Sequence, residues 1–345
     1  MDGVFVVDKQ AGLTSFDVVA RVRRATRQRR VGHAGTLDPM ATGVLLLCVG
    51  EATKLVPYLM DADKEYRATA RLGVRTDTDD AAPGSRVLEV ATEAALQALR
   101  PEAVAQGLAA LVGELVQRPP RFCALKVDGE RLYDRARRDL DEAGAAALDA
   151  EVAAKQRPVR VFAITLEALE LAGAAPSVTF TVRCGKGTYI RALARDLGER
   201  LGVGAHLTAL RRLRVGRFKV EDSCPSSAID DIARGAVKPQ GLAAALGHLP
   251  SFVAPPELAS RLRQGHRGAL GELAQRLPPA ASAMVALDEK GQLIAVLEPE
   301  PGPGDARWII GRGFTEPNIE PNIEPNVEPT VDLSATRARE TSTFG

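Results

Sequence analysis

Short apolar segments separated by turns rich in glycine and proline dominate the pattern of hydrophobic and polar positions over residues 1–220. Residues 43–49 are apolar at almost every position, which predicts a strand that is covered on both faces. Residues 66–72 alternate between apolar and polar side chains, which predicts a strand with one buried face. Thr14 or Ser15 can cap a following helix whose apolar positions lie mostly on one side.

The remaining predicted elements alternate irregularly along the chain. Helices are predicted at residues 51–59, 93–112 and 188–201, and further strands at 4–8, 159–171, 177–183 and 207–217. Asp128-Gly129, between two short strand-like segments, is a hairpin signal. Because hairpins are mixed with helices, the predicted fold class is α+β, with a mixed sheet flanked by helices rather than a doubly wound parallel sheet.

The chain is predicted to divide near residue 222. Residues 1–222 form the main domain, 223–256 a connecting helical segment, and 257–314 a small β-rich domain with a hairpin around Lys290-Gly291. From Glu316 onward, Glu-Pro-Asn followed by Ile or Val occurs three times in succession. Residues 315–345 are therefore predicted to be an extended, disordered tail.

Composition narrows the class of protein. The 345 residues are 45% hydrophobic and 26% charged, and no apolar run approaches the length of a membrane span. The N-terminus lacks the basic-then-apolar order of a signal peptide. Four scattered cysteines without a CxxC pair argue against a zinc ribbon and a disulfide framework. We therefore expect a cytoplasmic protein with no membrane partner.

The net charge of +1 conceals an uneven distribution. Residues 315–345 hold six acidic and two basic residues, a net charge of −4, which leaves +5 on the rest of the chain. Six arginines lie within residues 21–30, and a second basic cluster lies within residues 211–219. One such cluster can be a solvated helix face, but two clusters without nearby acids favour RNA or DNA as a partner.

Residues 32–43 are the strongest candidate for chemistry. They place His33 and Asp38 among three glycines and a proline, directly before the predicted strand at 43–49. A helix does not tolerate glycine and proline at this density, so we interpret the segment as a tight loop leading into a buried strand. The alternative is a glycine-rich turn with a solvated Asp38.

Several reaction classes lack their motifs. His33 and Asp38 have no companions at metal-ligand spacing, so no metal is expected, and neither a phosphate-binding GxxxxGK[ST] loop nor a Gly-x-Ser-x-Gly elbow occurs. The reaction class that remains is one in which a carboxylate acts as nucleophile or electrostatic stabiliser in a basic cleft, with tyrosines available for base stacking. Other chemically suggestive segments are 64–66, 186–191 and 210–213.

These segments, together with others, resemble the bacterial tRNA pseudouridine synthase B (TruB) family. The matching motifs run in family order across residues 3–220: Val6 to Ser15, Gly32 to Gly43, Lys64-Glu65-Tyr66, Leu72-Gly73, Thr76 to Asp79, Gln117 to Pro120, Ala124-Leu125-Lys126, Gly129, Lys186 to Arg191 and Leu210 to Leu213. The resemblance implies a pseudouridine synthase fold at 1–222 and a PUA-like RNA-binding domain at 257–314.

The resemblance also implies roles for individual residues. Asp38 would be the catalytic aspartate, Tyr66 the tyrosine that stacks on the target base and assists proton removal, and Arg191 the arginine paired with the aspartate. The positions that would bind the nucleotide or support its site are His33, Tyr189, Leu210 and Lys9. The implied reaction isomerises uridine 55 in the T-arm of tRNA after base flipping, without a cofactor.

Two other functions are compatible with the same resemblance. One is an RNA-binding or tRNA-folding protein without catalysis, which the presence of Asp38, Tyr66 and Arg191 disfavours. The other is a guide-RNA-dependent pseudouridine synthase, which the acidic tail and the bacterial-like spacing disfavour. We therefore expect tRNA as the partner, no guide RNA, and a monomer.

Overall fold

The computed structural model describes residues 1–123, 125–127, 130–136, 142–266, 270, 282–300 and 308–314. The strands are β1 Gly3–Lys9, β2 Val31–Ala34, β3 Thr42–Val49, β4 Lys64–Leu72, β5 Val74–Thr76, β6 Val87–Val90, β7 Gly113–Gln117, β8 Lys126–Val127, β9 Glu130–Arg131, β10 Arg157–Glu170, β11 Ser177–Cys184, β12 Ala205–Val215, β13 Phe218–Lys219, β14 Cys224–Pro225, β15 Ser251–Val253, β16 Met284–Leu287, β17 Leu293–Pro299 and β18 Trp308–Gly313.

Helices separate many of these strands. The α-helices are α1 Ser15–Thr26, α2 Val56–Asp61, α3 Glu93–Gln97, α4 Pro101–Ala109, α5 Leu132–Ala136, α6 Glu142–Ala154, α7 Ile190–Arg200, α8 Ile229–Ala233, α9 Leu242–Ala245 and α10 Pro256–Arg263, with 3-10 turns at Gly50–Leu55 and Val220–Asp222. None of the described helices is both long and apolar enough to span a membrane.

A ten-stranded mixed sheet organises the main part of the described chain. Its strand order is β14-β1-β3-β12-β4-β11-β10-β7, with β2 also paired to β3 and β13 to β12. Most neighbours are antiparallel, whereas β1 with β14 and β3 with β12 are parallel. The predicted α+β class with a mixed, largely antiparallel sheet is thus confirmed.

The sheet is covered on both faces, as the apolar run at 43–49 predicted. Along β1, Phe5 and Val7 belong to a core shared with helices α1, α4 and α7. Val4 and Val6 belong to a second core on the opposite face. This side-to-side alternation is the period of a strand, and it explains why strands buried on both faces need apolar residues at every position.

A small four-stranded sheet, in the order β15-β16-β17-β18, packs against the second core. The predicted hairpin around Lys290-Gly291 is present as β16 and β17. Strand β15 comes from the predicted connecting segment 223–256 and pairs in parallel with β16. Tyr58 Oη donates to Glu298 Oε1 at 2.5 Å, and Lys54 Nζ donates to the carbonyl of Gly313 at 2.9 Å, so α2 and the 3-10 turn before it contact the small sheet. The predicted tail at 315–345 lies outside the described residues.

Local signals succeeded at some positions and failed at others. Thr14 caps α1 in a capping box with Asp17, as its position predicted. The single helix predicted at 93–112 is instead two helices, because Pro101 forces the preceding residue, Arg100, into an extended conformation (φ −124°, ψ 142°). Strands β8 and β9 form the predicted hairpin, although its turn residues 128–129 lie outside the described part of the chain.

Candidate active site

Asp38 lies on the loop between β2 and β3, and side chains from two neighbouring elements hold the backbone of that loop. Ser15, at the start of α1, accepts from the Leu37 N–H at 2.9 Å and donates to the Leu37 carbonyl at 3.2 Å. From β12, Arg212 Nη2 donates to the carbonyl of Gly35 at 3.0 Å. The position of Asp38 is therefore set by contacts with distant parts of the chain.

Asp38 and Arg191 form an ion pair. Arg191 Nη2 donates to Asp38 Oδ1 at 3.1 Å, and Arg191 Nε lies 3.0 Å from Asp38 Oδ2 as a charge contact without hydrogen-bond geometry. The Arg191 side chain is 6% exposed and that of Asp38 is 31% exposed. The carboxylate is therefore open to a ligand, while its cation is held behind it.

Further contacts anchor Arg191 from behind. Its Nη1 donates to the Thr78 carbonyl at 3.0 Å and lies 3.4 Å from Asp80 Oδ2, and its Nη2 donates to the Phe122 carbonyl at 2.9 Å. Burial by itself would lower the pKa of Arg191, but the charges of Asp38 and Asp80 outweigh burial and raise it. Sequence reasoning missed Asp80 because it lies in a polar loop without a ligand-spacing pattern.

Tyr66 lies on β4 with Val182 and Arg212 as its cross-strand neighbours, so these side chains share one face of the sheet. It is 9% exposed. Burial raises its pKa, and the nearby Arg212 guanidinium opposes that shift only in part. Tyr66 is therefore a neutral phenol at neutral pH. The charge of Asp38 also acts on its hydroxyl, which places the two residues in one electrostatic environment.

Leu210 lies two residues before Arg212 on β12, opposite Ala68, and is 7% exposed. Residues two apart on a strand point to the same face, so Leu210 lies beside Tyr66 on that face of the sheet. The structure thus brings these two predicted site residues together.

His33 lies on β2, paired with Leu47 of β3, and not in the loop predicted for residues 32–43. The prediction failed for residues 32–34 because Gly32 is accommodated in a short strand whose backbone hydrogen bonds are completed by β3, and the loop begins only at Gly35. Burial, and then the charge of Arg212, lower the pKa of His33, so its ring is neutral at neutral pH. Its Nδ1 is buried and makes no hydrogen bond within the described residues.

Tyr189 is the N-cap residue of α7 and immediately follows the glycine-containing turn after β11. The Gln117 side chain holds its backbone from both sides, since Gln117 Oε1 accepts from Tyr189 N at 2.8 Å and Nε2 donates to Tyr189 O at 3.1 Å. The Arg157 guanidinium lies 4.9 Å from the centre of the Tyr189 ring. Burial raises the pKa of Tyr189 to about 12.

Lys9 ends β1 and is fully buried. Its Nζ donates to the carbonyls of Leu13 at 2.7 Å, Gln10 at 3.0 Å and Pro39 at 3.3 Å. Burial lowers the pKa of Lys9 to about 8, and the charge of Asp38 offsets this only in part. Lys9 therefore joins the turn after β1 to the Asp38 loop, with all three ammonium donors used by the protein.

Ionisation of Lys9 is expected to make stability depend on pH between 8 and 10.5. The pKa of Lys9 is about 8 in the folded state, against its ordinary 10.5, so the unfolded chain binds more protons in this window. Burial of the charged Lys9 ammonium therefore lowers the free energy of unfolding below pH 8. This destabilisation diminishes as the pH rises from 8 to 10.5. Urea unfolding should show the wild type gaining stability with pH relative to Lys9→Met.

The control for this measurement is Lys219→Met, which replaces an exposed lysine. Its free energy of unfolding should follow that of the wild type at every pH. A constant difference between the wild type and Lys9→Met across the window would contradict the expected role of burial.

The two arginine clusters differ in their surroundings. Four arginines of the first cluster are exposed and form no ion pair with another described residue: Arg21, Arg24, Arg27 and Arg29. In the second cluster, Arg212 is 1% exposed, and Arg211 and Arg214 pair with Asp8 at 2.7 Å and Glu65 at 3.1 Å. These three arginines are not the free basic surface that the charge of the cluster predicted, because they lie on β12, an interior strand of the sheet, whereas Arg217 and Lys219 beyond its end are exposed.

Two family models match consecutive parts of the chain. Residues 23–190 match the TruB family pseudouridylate synthase N-terminal domain, and residues 191–257 match the tRNA pseudouridylate synthase B C-terminal domain. The junction between them falls at Arg191, so each of the two models supplies one partner of the Asp38–Arg191 pair.

Curated relatives cover most of the chain. A tRNA pseudouridine synthase B from Geobacter sulfurreducens is 43% identical over 268 residues, which are 77% of this chain and 82% of the relative. A protein of the same name from Burkholderia mallei is 41% identical over 305 residues, 88% of this chain and 94% of the relative.

Solved structures of more distant proteins share the fold. An H/ACA RNP bound to a substrate RNA containing 2′-deoxyuridine has a chain that aligns with a TM-score of 0.62 at 22% identity, covering 92% of this chain and 87% of that one. The archaeal box H/ACA sRNP Nop10–Cbf5 complex gives 0.59 at 21% identity, covering 91% and 86%.

The resemblance noted in the sequence is therefore confirmed by the family models, by relatives above 40% identity and by the shared fold. The chain belongs to the TruB family of pseudouridylate synthases.

Proposed function

We propose that this enzyme converts uridine 55 in the T-arm of tRNA to pseudouridine, with Asp38 as the catalytic carboxylate. The main support for the proposal is the ion pair between the buried Arg191 side chain and the solvent-accessible Asp38 carboxylate. The names of the relatives above 40% identity support tRNA as the substrate.

Pseudouridine formation needs a group of this kind. The reaction breaks the N1–C1′ bond of uridine, turns the uracil, joins C5 to C1′ and exchanges a proton on C5 for one on N1. A carboxylate can attack C1′, attack C6, or remove a proton to form a glycal, and the partly exposed Asp38 side chain is accessible for each route. Arg191 balances the negative charge of the carboxylate and orients it through their ion pair. Because the isomerisation is redox-neutral, we propose that no cofactor takes part.

The surrounding side chains suit a base that has left the RNA stack. Flipping a nucleotide costs about a few kcal/mol. Stacking of the flipped base on the ring of Tyr66 or Tyr189 would offset this cost by roughly 1–3 kcal/mol. Tyr66, a neutral phenol at neutral pH, is too weak a base to keep the C5 proton, so it would assist removal by passing that proton through its hydroxyl to Asp38 or to water. The Nδ1 atom of His33 has no hydrogen-bond partner within the described part of the chain, which suits a contact to the nucleotide, and Leu210 would line the apolar side.

RNA binding would use surfaces outside the reaction centre. The exposed Arg21 and Arg24 of α1, and Arg27 and Arg29 just after it, are free to contact phosphates, which Arg binds through two oxygens. We propose that residues 1–222 are the catalytic domain, 223–256 a connection and 257–314 a PUA-like RNA-binding domain. The enzyme would act as a cytoplasmic monomer without a guide RNA.

The test is conversion of a tRNA transcript by the purified full-length chain alone. Unmodified tRNA carrying tritium at uridine C5 should release tritium, and mapping should place pseudouridine at position 55 only. A transcript with cytidine at position 55 is the matched control and should release none.

Other outcomes would identify the alternatives. Tight tRNA binding without tritium release would overturn the proposal in favour of an RNA-binding or tRNA-folding protein. Release that required an added guide RNA and its protein partners would favour the guide-dependent class.

A further inference from the structure

A second buried arginine lies one helical turn after Arg191. Arg195 is four residues further along α7, on the same helix face, and its side chain is 5% exposed. Its Nη1 lies 2.9 Å from Asp79 Oδ2, and its Nη2 donates to the Arg118 carbonyl at 2.8 Å. Arg195 was not among the predicted site residues, since nothing in its local sequence distinguishes it from a surface base.

The two arginines hold the same two segments of chain. Arg191 bonds the carbonyls of Thr78 and Phe122, whereas Arg195 bonds Asp79 and the carbonyl of Arg118. The loop at 76–80 and the segment at 118–122 are thus each fixed at two points by one helix. Arg195 makes the pair of contacts further from Asp38.

Asp79 needs such support because of its backbone. Its φ is +59°, in the left-handed region that residues other than glycine seldom adopt. This conformation turns the chain immediately before Asp80, which contacts Arg191 at 3.4 Å. The Asp79 carboxylate is held by Arg195, and its carbonyl accepts from Leu207 N at 3.0 Å. The orientation of the Asp80 side chain towards Arg191 therefore depends on the contacts that keep Asp79 in this backbone conformation.

We propose that Arg195 and Asp79 are positioning residues for the reaction: their ion pair holds the 76–80 loop so that Thr78 and Asp80 keep Arg191 aligned with Asp38. The inference rests on the proposed function, because alignment matters only if Asp38 reacts. A misplacement of about 1 Å at a reacting group can cost roughly 10²-fold in rate. A pair that acts only in folding would leave turnover unchanged in molecules that remain folded.

The experiment measures kcat and KM for tRNA, and the Tm, for three variants. Arg195→Met removes the charge at similar length, and Asp79→Asn removes the charge while keeping a residue that tolerates the left-handed conformation. Arg200→Met, an exposed arginine on the same helix, is the matched control. Activity is assayed well below the lowest Tm of the set.

We expect Arg195→Met and Asp79→Asn each to lower kcat roughly 10- to 100-fold, with KM within about threefold of the wild type. The double variant should be no slower than the slower single variant, because both remove the same ion pair. Arg200→Met should match the wild type. A lowered Tm with unchanged kcat would overturn the inference, as would independent, multiplying losses in the double variant.

Hydrogen exchange tests whether a loss of activity in the variants comes from a less firmly held 76–80 loop. Hydrogen exchange of peptides covering 76–82 should accelerate in Arg195→Met, while peptides covering β3 keep their wild-type rates. Unchanged exchange at 76–82 would overturn the inference even if turnover fell. Failure of the proposed function looks different: the wild type itself would then release no tritium from tRNA.

Discussion

Replacement of Asp38 by Asn is expected to abolish pseudouridine formation while tRNA binding stays within a few-fold of the wild type. The amide has nearly the same shape as the carboxylate but can neither attack the nucleotide nor accept its proton. The loss in turnover should be at least about 10³-fold. Tritium release under single-turnover conditions measures the rate, and filter binding measures the affinity for tRNA.

The matched control is Asp288→Asn, which breaks another aspartate–arginine pair, between the β16–β17 turn and the end of α10. Asp288 Oδ2 lies 2.6 Å from Arg263 Nη2, and among the described residues no hydrogen bond or ion pair joins this pair to the Asp38 loop. Its turnover should equal that of the wild type. Pseudouridine formation by Asp38→Asn at more than a trace rate would show that another group carries out the reaction.

Replacement of Arg191 by Ala is expected to produce the second largest loss, a fall in kcat of roughly 10²- to 10³-fold. The substitution leaves Asp38 without its cation and removes the donors to the Thr78 and Phe122 carbonyls. Asp80, whose side chain is 5% exposed, also loses this cation, which should lower the free energy of unfolding by about 3 kcal/mol. Steady-state kinetics and urea unfolding measure the two effects.

Arg191→Lys separates charge from geometry. Lysine keeps one positive charge but lacks the planar fork that contacts Asp38, Asp80 and two carbonyls at once, so an intermediate kcat is expected. Near-normal turnover in Arg191→Ala would mean that Asp38 needs no partner. A loss confined to KM would mean that the arginine binds substrate instead.

Local signals were sufficient for elements whose formation depends on near neighbours. The Thr14 capping box and the alternation along β4 each depend on residues a few positions apart. The apolar run at 43–49 also identified a strand buried on both faces, because such burial leaves no position for a polar side chain.

Predictions failed where distant contacts decided the outcome. His33 lies on a strand because β3 completes the backbone hydrogen bonds of its segment. Arg212 carries the charge of an RNA-binding residue, yet β12 lies inside the sheet, so its guanidinium bonds the carbonyls of Gly35 and Val44. No local pattern distinguishes such a buried arginine from an exposed one in the same cluster.

The residues that meet at the candidate site show again that local sequence patterns do not predict contacts between distant parts of the chain. Asp38 and Arg191 are 153 positions apart in the chain and become neighbours only through the fold. Arg195 and Asp79 are 116 positions apart. Asp79 ends one of the matching motifs, but that motif indicated neither a role for Asp79 nor Arg195 as its partner. Family motifs identified Asp38, Tyr66 and Arg191 as candidates, but composition and spacing alone could not say that they are close in space.

The sequence by itself determined the fold class, the order of most elements and the family, and it singled out Asp38 as the candidate carboxylate, because these depend on short-range periodicity and on motifs. Only the tertiary structure decided which charges are buried, which arginines support the site and which face the solvent. The physical reason is that burial and ion pairing depend on which strands are neighbours, and the order β3-β12-β4-β11 joins parts of the chain more than a hundred residues apart.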